Sequence, residues 1–251
     1  MKVFSVAGYH HTGKTTAVVN IIKELRKRGY SVESIKDIHA EKFTMEKEGS
    51  NSWKHWEASD STVIARGMKE TYQIWHNRLG LNEMLEHLSA DYVVVEGMKS
   101  AALPHIICAK DEDQLAELVD ETTFGISGIY ADDNSSYNNF TVFKSEADVE
   151  AMVDLIEEKV FDMLPNVEPE CCSKCGFSCH QMVGKILSGE RRREDCVTDK
   201  AEIVELTVDG KTISLVPFVQ RILADTLTSL VHNFDGCQKG DIQITLREKK
   251  K

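Results

Sequence analysis

Short apolar runs alternate with amphipathic stretches along the first two thirds of the chain. Residues 2–7, 92–95 and 105–109 are compact apolar runs, which are typical of strands buried on both faces. Residues 14–28 instead carry apolar side chains at spacings of three and four, the pattern of an amphipathic helix. Gly29 follows in a position that favours helix termination. Buried strands interleaved with such helices are typical of α/β proteins.

The same reasoning predicts the other elements as far as residue 165. Further strands are predicted at residues 31–36, 61–65, 70–75, 125–130 and 140–143, and further helices at 52–58, 79–88 and 146–164. The succession of strand 2–7, helix and strand 31–36 implies a parallel pair joined by a right-handed crossover. We therefore expect residues 1–165 to form a three-layer α/β sandwich with a mainly parallel sheet.

The composition changes after a polar, proline-containing linker at residues 166–170. Five of the seven cysteines fall between positions 171 and 196, so residues 171–197 are predicted to form a metal-binding module. Residues 198–248 are predicted to form a hairpin, a helix and a strand, with strands at 203–208 and 211–216, a helix beginning at Pro217 and an alternating strand at 242–246. Together these segments predict a small α+β cysteine-rich domain at the C-terminal end.

Charge and hydropathy exclude two classes of function. The chain has 30 Lys and Arg against 41 Asp and Glu, a formal net charge of −11, whereas a general nucleic-acid binder needs a basic surface. No run approaches the roughly 18 apolar residues of a membrane span, and the N-terminal residues are predicted to be a buried strand rather than a signal peptide. We therefore expect a cytoplasmic protein whose cysteines are thiols or metal ligands.

The stretch GYHHTGKTT at residues 8–16 has the spacing of a phosphate-binding loop. The pattern GxxxxGK[ST] has physical meaning between a strand and a helix, and both flanks are predicted here. Backbone N–H groups of the loop would surround the β-phosphate, Lys14 would reach the β- and γ-phosphates, and the Thr15 hydroxyl would bind Mg²⁺. The sequence therefore predicts a nucleoside triphosphate site.

Two acidic residues end predicted strands, where a second metal-side carboxylate is needed for phosphoryl transfer. Asp37 closes the second strand, and Glu96 closes the strand YVVVE and precedes Gly97, which could approach the γ-phosphate. The guanine-reading pattern NKxD is missing, and the segment Ala109-Lys110-Asp111-Glu112 is only a degraded version of it. These residues alone leave the base open between guanine and adenine.

Four segments, taken in order, resemble the MobB family. They are AGYHHTGKTT, SIKDIHAEKF, KEGSNSWKHWEASDS and DYVVVEGMK, and the resemblance covers roughly residues 2–165. MobB proteins are the nucleotide-binding adaptors of molybdenum-cofactor guanine dinucleotide synthesis. The chain departs from the family at Asn51, where Asp is usual, and in having fewer histidines after the second strand.

The resemblance implies a P-loop NTPase that binds GTP and Mg²⁺, hydrolyses GTP weakly and forms a homodimer. It also implies cooperation with the guanylyltransferase MobA, which attaches GMP to molybdopterin, and a molybdenum or tungsten enzyme as client. Lys14 and Glu96 are the catalytic candidates, Thr15 and Asp37 the Mg²⁺ ligands, and His39, Ser52, Trp53 and His55 lie on segments expected to face the nucleotide or the partner. The implied nucleotide contacts are Gly8, Tyr9, His10, His11, Thr12, Gly13, Lys14, Thr15, Thr16, Asp37, Glu96 and Gly97.

The C-terminal cysteines have the spacing of a metal site. Cys172, Cys175, Cys179 and Cys196 are spaced C-x₂-C-x₃-C-x₁₆-C, with Cys171 as an extra neighbour. Both Zn²⁺ and a [4Fe–4S] cluster accept four thiolates, and three near cysteines with a remote fourth favour the cluster. The segment also resembles the small four-iron domain of corrinoid iron–sulfur proteins and ferredoxin-like subunits, with one residue fewer before the third cysteine.

Three functions therefore stay open from the sequence. The first is a GTP-binding adaptor whose metal module docks a client or senses redox state. The second is an iron–sulfur electron-transfer or reductive-activation protein gated by nucleotide hydrolysis, which should prefer ATP and couple turnover to cluster reduction. The third makes the cysteine segment a structural zinc clip that only extends the protein interface.

Overall fold

A computed structural model describes residues 1–40, 43–44, 46–167, 174–197, 204, 206–208, 211–213, 217–231, 234 and 242–244. Strands are β1 (Lys2–Ala7), β2 (Val32–Lys36), β3 (Val63–Arg66), β4 (Thr71–Ile74), β5 (Tyr92–Glu96), β6 (His105–Cys108), β7 (Thr123–Ser127), β8 (Ser136–Tyr137), β9 (Phe140–Thr141), β10 (Leu206–Val208) and β11 (Lys211–Ile213). Helices are α1 (Lys14–Lys27), α2 (Asn51–Ser59), α3 (Leu81–Glu86), α4 (Glu112–Leu118), α5 (Val149–Lys159), α6 (Cys179–Leu187) and α7 (Pro217–Val231). Two 3₁₀ turns span Ile129–Asp132 and Arg193–Asp195.

The central sheet has five strands in the order β2-β5-β1-β6-β7, and every neighbouring pair is parallel. The predicted α/β fold with a mainly parallel sheet is confirmed. The prediction that the first two strands pair directly is wrong, because β5 lies between β1 and β2 and bonds to both. The carboxyl ends of β1, β2 and β5 therefore meet at one edge of the sheet, where ligands of open α/β sheets bind.

Helices cover both faces of this sheet. One apolar cluster joins alternate residues of β1 and β5, such as Phe4 and Val94, to α1 and α5. The residues between them face the other way, where Val3 and Val93 pack with α3, while Ile107 and Ile126 pack with α4. This alternation follows from the two-residue period of a strand, and it makes the domain three layers thick.

Two predicted boundaries are wrong for identifiable reasons. Strand β7 ends at Ser127 and not at residue 130, since Gly128 has a φ of 90° and begins the 3₁₀ turn. Helix α5 spans 11 residues, whereas residues 146–164 were predicted to be helical. Leu164 is buried, but it packs in the cluster under α6 instead of continuing the helical stripe. Helix α4 was not predicted.

The cysteine-containing segment as far as Cys196 belongs to the first of two compact units, Met1–Cys196. Helix α6 begins at a capping box, in which the Ser178 hydroxyl accepts from the Gln181 amide at 3.1 Å and the Gln181 side chain accepts from the Ser178 amide at 3.0 Å. Its apolar face, including Met182 and Val183, packs with Leu164.

The second unit, residues 197–251, contains the antiparallel pair β10–β11 and helix α7, which begins at Pro217 as predicted. Residues 242–244 are not in a strand, contrary to the prediction, and positions 209 and 210, which separate the two predicted hairpin strands, lie outside the described residues. Among the helices within the described ranges, none is long and apolar enough to cross a membrane.

Candidate functional site

A cavity of about 590 Å³ opens at the carboxyl edge of the sheet. Residues 7–16, 36–40 and 96–99 line it, so the loop after β1, the end of β2 and the end of β5 converge there. All of the residues predicted to contact nucleotide line this cavity, namely Gly8, Tyr9, His10, His11, Thr12, Gly13, Lys14, Thr15, Thr16, Asp37, Glu96 and Gly97. The segments predicted to bind phosphate and Mg²⁺ therefore line a single cavity.

The loop at the base of the cavity is held by two close backbone approaches. A Cβ atom on Gly8 would lie 2.1 Å from the Cys108 carbonyl oxygen, and one on Gly128 would lie 2.3 Å from the Thr12 carbonyl oxygen. Both distances are shorter than non-bonded atoms allow, so these positions require glycine. Gly8 belongs to the predicted motif, whereas Gly128 follows β7 and was not singled out from the sequence.

Lys14 begins helix α1 and lies in the cavity wall. Its ammonium group donates to the carbonyl oxygen of Tyr9, five residues earlier in the phosphate loop. Burial lowers the pKa of Lys14 below its usual value, an effect opposed by the nearby negative charge of Glu96. A partly desolvated ammonium beside the N-terminus of a helix is suited to hold a phosphate group, since both supply positive charge.

Thr15, Glu96 and Lys36 form a hydrogen-bonded group in the cavity wall next to Lys14. The Thr15 hydroxyl donates to Glu96 Oε1 at 2.7 Å, and Lys36 Nζ donates to the same carboxylate oxygen at 2.6 Å and to Thr15 Oγ1 at 3.2 Å. Glu96 is 8% exposed, so its charge is held in a mostly dry environment. Sequence reasoning missed Lys36, although it immediately precedes Asp37 at the end of β2.

Asp37 lines the cavity but pairs with different groups. Its carboxylate contacts His39 Nε2 at 3.1 Å and Arg78 at 3.2 Å, and Arg78 comes from the segment between β4 and α3. Thr15 thus hydrogen-bonds to Glu96, whereas Asp37 bonds to His39 and Arg78. The hydroxyl and carboxylate that are joined in the structure, Thr15 and Glu96, have the oxygen donors that Mg²⁺ prefers.

Several other predicted residues lie away from this cavity. Ser52, Trp53 and His55 are on α2, and none of the three lines the cavity; the Ser52 hydroxyl instead donates to Glu46 at 2.9 Å. Asp111 caps α4 by accepting from the Gln114 amide at 2.9 Å. In the degraded guanine motif, the Asp111 carboxylate therefore serves as the N-cap of helix α4.

Three of the four predicted cysteine ligands are within the described residues. Cys179 and Cys196 are each 8% exposed and pack in one apolar cluster, and Cys175 lies at its edge, where its thiol donates to the Phe177 carbonyl at 3.5 Å. Cys172 lies outside the described residues. Among the parts of the chain that the structure describes, no three His, Cys, Asp or Glu side chains are arranged to hold a metal ion.

Comparison with known proteins agrees with this geometry. Residues 3–131 match the family model described as molybdopterin guanine dinucleotide synthesis protein B, MobB. The crystal structure of Bacillus subtilis MobB superposes with a TM-score of 0.54 at 18% identity, covering 65% of this chain and 100% of that chain. A second Bacillus subtilis MobB structure gives a TM-score of 0.50 at 17% identity. At these identities the structures show the fold.

Two curated proteins are similar in sequence. A Methanocaldococcus jannaschii protein, named provisionally as a molybdopterin-guanine dinucleotide biosynthesis adapter protein, is 30% identical over 94% of this chain and 93% of its own length. The Haemophilus influenzae adapter protein of that name is 32% identical over 44% of this chain and 64% of its own length. The archaeal match reaches well beyond residue 131, so most of the C-terminal extension is shared with that relative. The chain belongs to the MobB family.

Proposed function

We propose that this protein binds GTP with Mg²⁺ at the cavity of residues 7–16, 36–40 and 96–99, and acts as an adapter in the attachment of GMP to molybdopterin. The observation that carries the proposal is the convergence of the phosphate loop, Lys14 and the Thr15–Glu96 pair in one cavity. The names of the archaeal and Haemophilus relatives support the adapter role.

Each group in the cavity has a separate role in this proposal. The loop amides and the Lys14 ammonium bind the β- and γ-phosphates, and Thr15 with Glu96 or Asp37 would hold Mg²⁺. When bound, Mg²⁺ neutralises charge on the phosphate oxygens. Lys36 adds a further cation beside Glu96, so that the carboxylate does not repel the anionic ligand.

Hydrolysis at this site should be slow. Glu96 and Asp37 are the carboxylates among the described residues of the cavity, and each is ion-paired, Glu96 with Lys36 and Asp37 with Arg78. A carboxylate stabilised by a cation is a weaker general base for activating water. A protein that binds GTP but hydrolyses it slowly suits the role of an adapter. In this proposal its partner is a MobA-like guanylyltransferase, it works as a homodimer, and its client is a molybdenum or tungsten enzyme.

A calorimetric comparison tests nucleotide binding. Wild type should bind GTP more tightly than ATP in Mg²⁺, and Lys14→Ala should abolish binding of both. Lys23→Ala removes an exposed lysine from the same helix and should leave affinity unchanged. GTP binding by Lys14→Ala at wild-type affinity would remove the proposal.

For the cysteine segment we propose a four-thiolate site, made by Cys172, Cys175, Cys179 and Cys196, that holds a [4Fe–4S] cluster or, alternatively, Zn²⁺. The support is the C-x₂-C-x₃-C-x₁₆-C spacing together with the packing of Cys175, Cys179 and Cys196 in one apolar cluster. These three thiols are not arranged around a metal ion in the structure, so the proposal requires them to move together when the metal binds. Four thiolates would suit either occupant. The gated electron-transfer alternative is not favoured, because the relatives are named as adapters.

Anaerobic purification with a metal assay and a visible spectrum tests this second site. Iron with broad visible absorption indicates the cluster, and zinc without it indicates the alternative. Cys179→Ser should lose the metal, whereas Cys108→Ala, which alters a buried cysteine of β6, should retain it. Purified wild type without iron or zinc would remove the proposed site.

A further inference from the structure

The segment after β5 connects the nucleotide cavity to a second polar group. Gly97, Met98 and Lys99 line the cavity, and Met98 has a φ of 55°, which is uncommon for a residue other than glycine. Lys99, at the far end of this segment, forms an ion pair with Asp120. A lysine of the cavity wall thus holds a carboxylate outside the cavity.

Asp120 is the central residue of this second group. Its Oδ2 atom is ion-paired with the Lys99 ammonium and also lies 3.3 Å from His180 Nε2. Its Oδ1 atom accepts from the Thr122 amide at 2.9 Å and from the Thr122 hydroxyl at 2.6 Å. Burial acts to raise the pKa of Asp120, but hydrogen bonds from Lys99 and Thr122 outweigh it and lower the pKa. Asp120 is therefore a fixed negative charge whose Oδ2 atom is shared by Lys99 and His180.

His180 belongs to α6, the helix that begins at Cys179. Its Nδ1 atom lies 3.3 Å from Glu121 Oε1, so its two ring nitrogens contact two consecutive carboxylates. One turn later, a Cβ atom on Gly184 would lie 2.6 Å from Glu121 Cγ and 3.0 Å from the Glu121 carbonyl oxygen. The cysteine-bearing helix is therefore packed directly against the turn that contains Asp120.

We propose that Lys99 is a further phosphate-binding residue. When GTP binds, the Lys99 ammonium leaves Asp120 and pairs with the terminal phosphate. Asp120 then holds His180, and with it helix α6, more tightly. The proposal rests on the proposed GTP binding and adds regulation of the cysteine segment by nucleotide.

The direction of the effect follows from the shared oxygen. The exposed fractions of the three side chains are only 25% for Lys99, 29% for Asp120 and 31% for His180, so water only partly screens the contacts that meet at Asp120. While Lys99 occupies Oδ2 of Asp120, it competes with His180 for that atom. Its departure to a phosphate removes the competitor and strengthens the remaining contact. By thermodynamic linkage, weakening the His180 contact must in turn alter affinity for GTP.

Hydrogen–deuterium exchange of the amides at residues 182–187 tests the proposal, with bound nucleotide measured in the same samples. In wild type, a non-hydrolysable GTP analogue should slow exchange by about fivefold, the low end of usual allosteric coupling. GDP, which lacks the terminal phosphate, should produce no slowing. Lys99→Met should still bind the analogue through Lys14 but show no change in α6. Lys27→Met, which breaks an ion pair with Glu150 elsewhere, should behave as wild type.

A reciprocal measurement addresses the helix side. His180→Gln leaves Lys99 as the cationic partner of Asp120 and should weaken binding of the GTP analogue while leaving GDP affinity unchanged. Equal slowing in Lys99→Met and wild type, equal slowing by GDP, or unaltered analogue affinity in His180→Gln would overturn the proposal and leave the proposed function intact. Failure of wild type to bind the analogue at all would overturn both.

Discussion

Gly128 packs so closely against Thr12 that a side chain cannot be accommodated between them. A Cβ atom on Gly128 would lie 2.3 Å from the Thr12 carbonyl oxygen, and the amide of Ile129 donates to that same oxygen at 3.2 Å. The turn after β7 therefore packs against the phosphate loop at Thr12. Gly128, although distant in the sequence, thus helps to set the shape of the cavity.

Gly128→Ala should reduce GTP affinity by about tenfold or more, because the added methyl group displaces the loop that surrounds the phosphates. Gly29→Ala is the matched control: Gly29 also has a positive φ, 96°, but a Cβ there would have nothing within 4 Å. That control should lose about 1 kcal/mol of stability, the cost of a Cβ in the left-handed conformation, and no affinity. Calorimetry on both variants checks the prediction, and equal affinities would contradict it.

Lys36→Met should make nucleotide binding more dependent on Mg²⁺. The Lys36 ammonium lies 2.6 Å from Glu96 and balances its charge, so without Lys36 a bound metal ion would have to supply more of that balance. We expect GTP affinity in the presence of EDTA to fall about tenfold, with a smaller loss in excess Mg²⁺. Titrations in the two buffers measure this, with Lys23→Met as a control. A loss of the same size in both buffers would argue against charge balance at Glu96.

Stability should fall in mild acid because of His105. This side chain is fully buried, and burial lowers its pKa to about 4 from a usual 6.5, with Lys99 acting in the same direction and Asp120 opposing it. The unfolded chain takes up the proton near pH 6.5 and the folded chain only near pH 4, so protonation favours unfolding as pH decreases through that interval.

Urea unfolding at pH 7 and pH 5 tests this dependence. His105→Asn keeps a group that can bond to Thr122, which His105 Nδ1 contacts at 3.0 Å, and removes the titration. Wild type should lose about 2 kcal/mol more than this variant between the two pH values. His87→Asn, at an exposed position, should retain the wild-type slope. Parallel pH profiles for wild type and His105→Asn would refute the assignment.

Arg28→Met should destabilise the contact between α1 and α5. The guanidinium is 21% exposed and contacts Asp154 and Glu157 at 2.6 Å each, as well as Glu24 at 3.0 Å. Because several charges share one partly buried cation, we expect a loss of about 1 kcal/mol that shrinks at high salt. Lys27→Met removes the more exposed neighbouring cation and should have a smaller effect in the same denaturation assay. Equal losses would show that the network adds nothing.

The fold was largely predictable because its core follows simple periods. Alternate residues of β1 and β5 separate onto two faces, and α1 carries its apolar stripe at helical spacing. Strand order was not predictable in this way, since periodicity shows which face a residue occupies but not which strand lies beside it. The insertion of β5 between β1 and β2 depends on long-range pairing.

The site was predictable where one continuous motif defines it and not where distant segments meet. The loop from Gly8 to Thr16 was identified from spacing alone. Lys36, Gly128 and Lys99 were missed, because their contacts are with residues 21 to 116 positions away in the chain. A glycine directly after a buried strand and a lysine at a strand end were the available signals, and each is common in ordinary turns.

The carbonyl of Cys108 lies directly beneath Gly8, and burial raises the pKa of the Cys108 thiol to about 12. Because the thiolate is the reactive form, an alkylating reagent at neutral pH cannot modify this sulfur while the sheet is closed. Cys108 is therefore an intrinsic mass-spectrometric reporter: its labelling at neutral pH would signal that the floor of the phosphate loop has opened, without an added fluorophore.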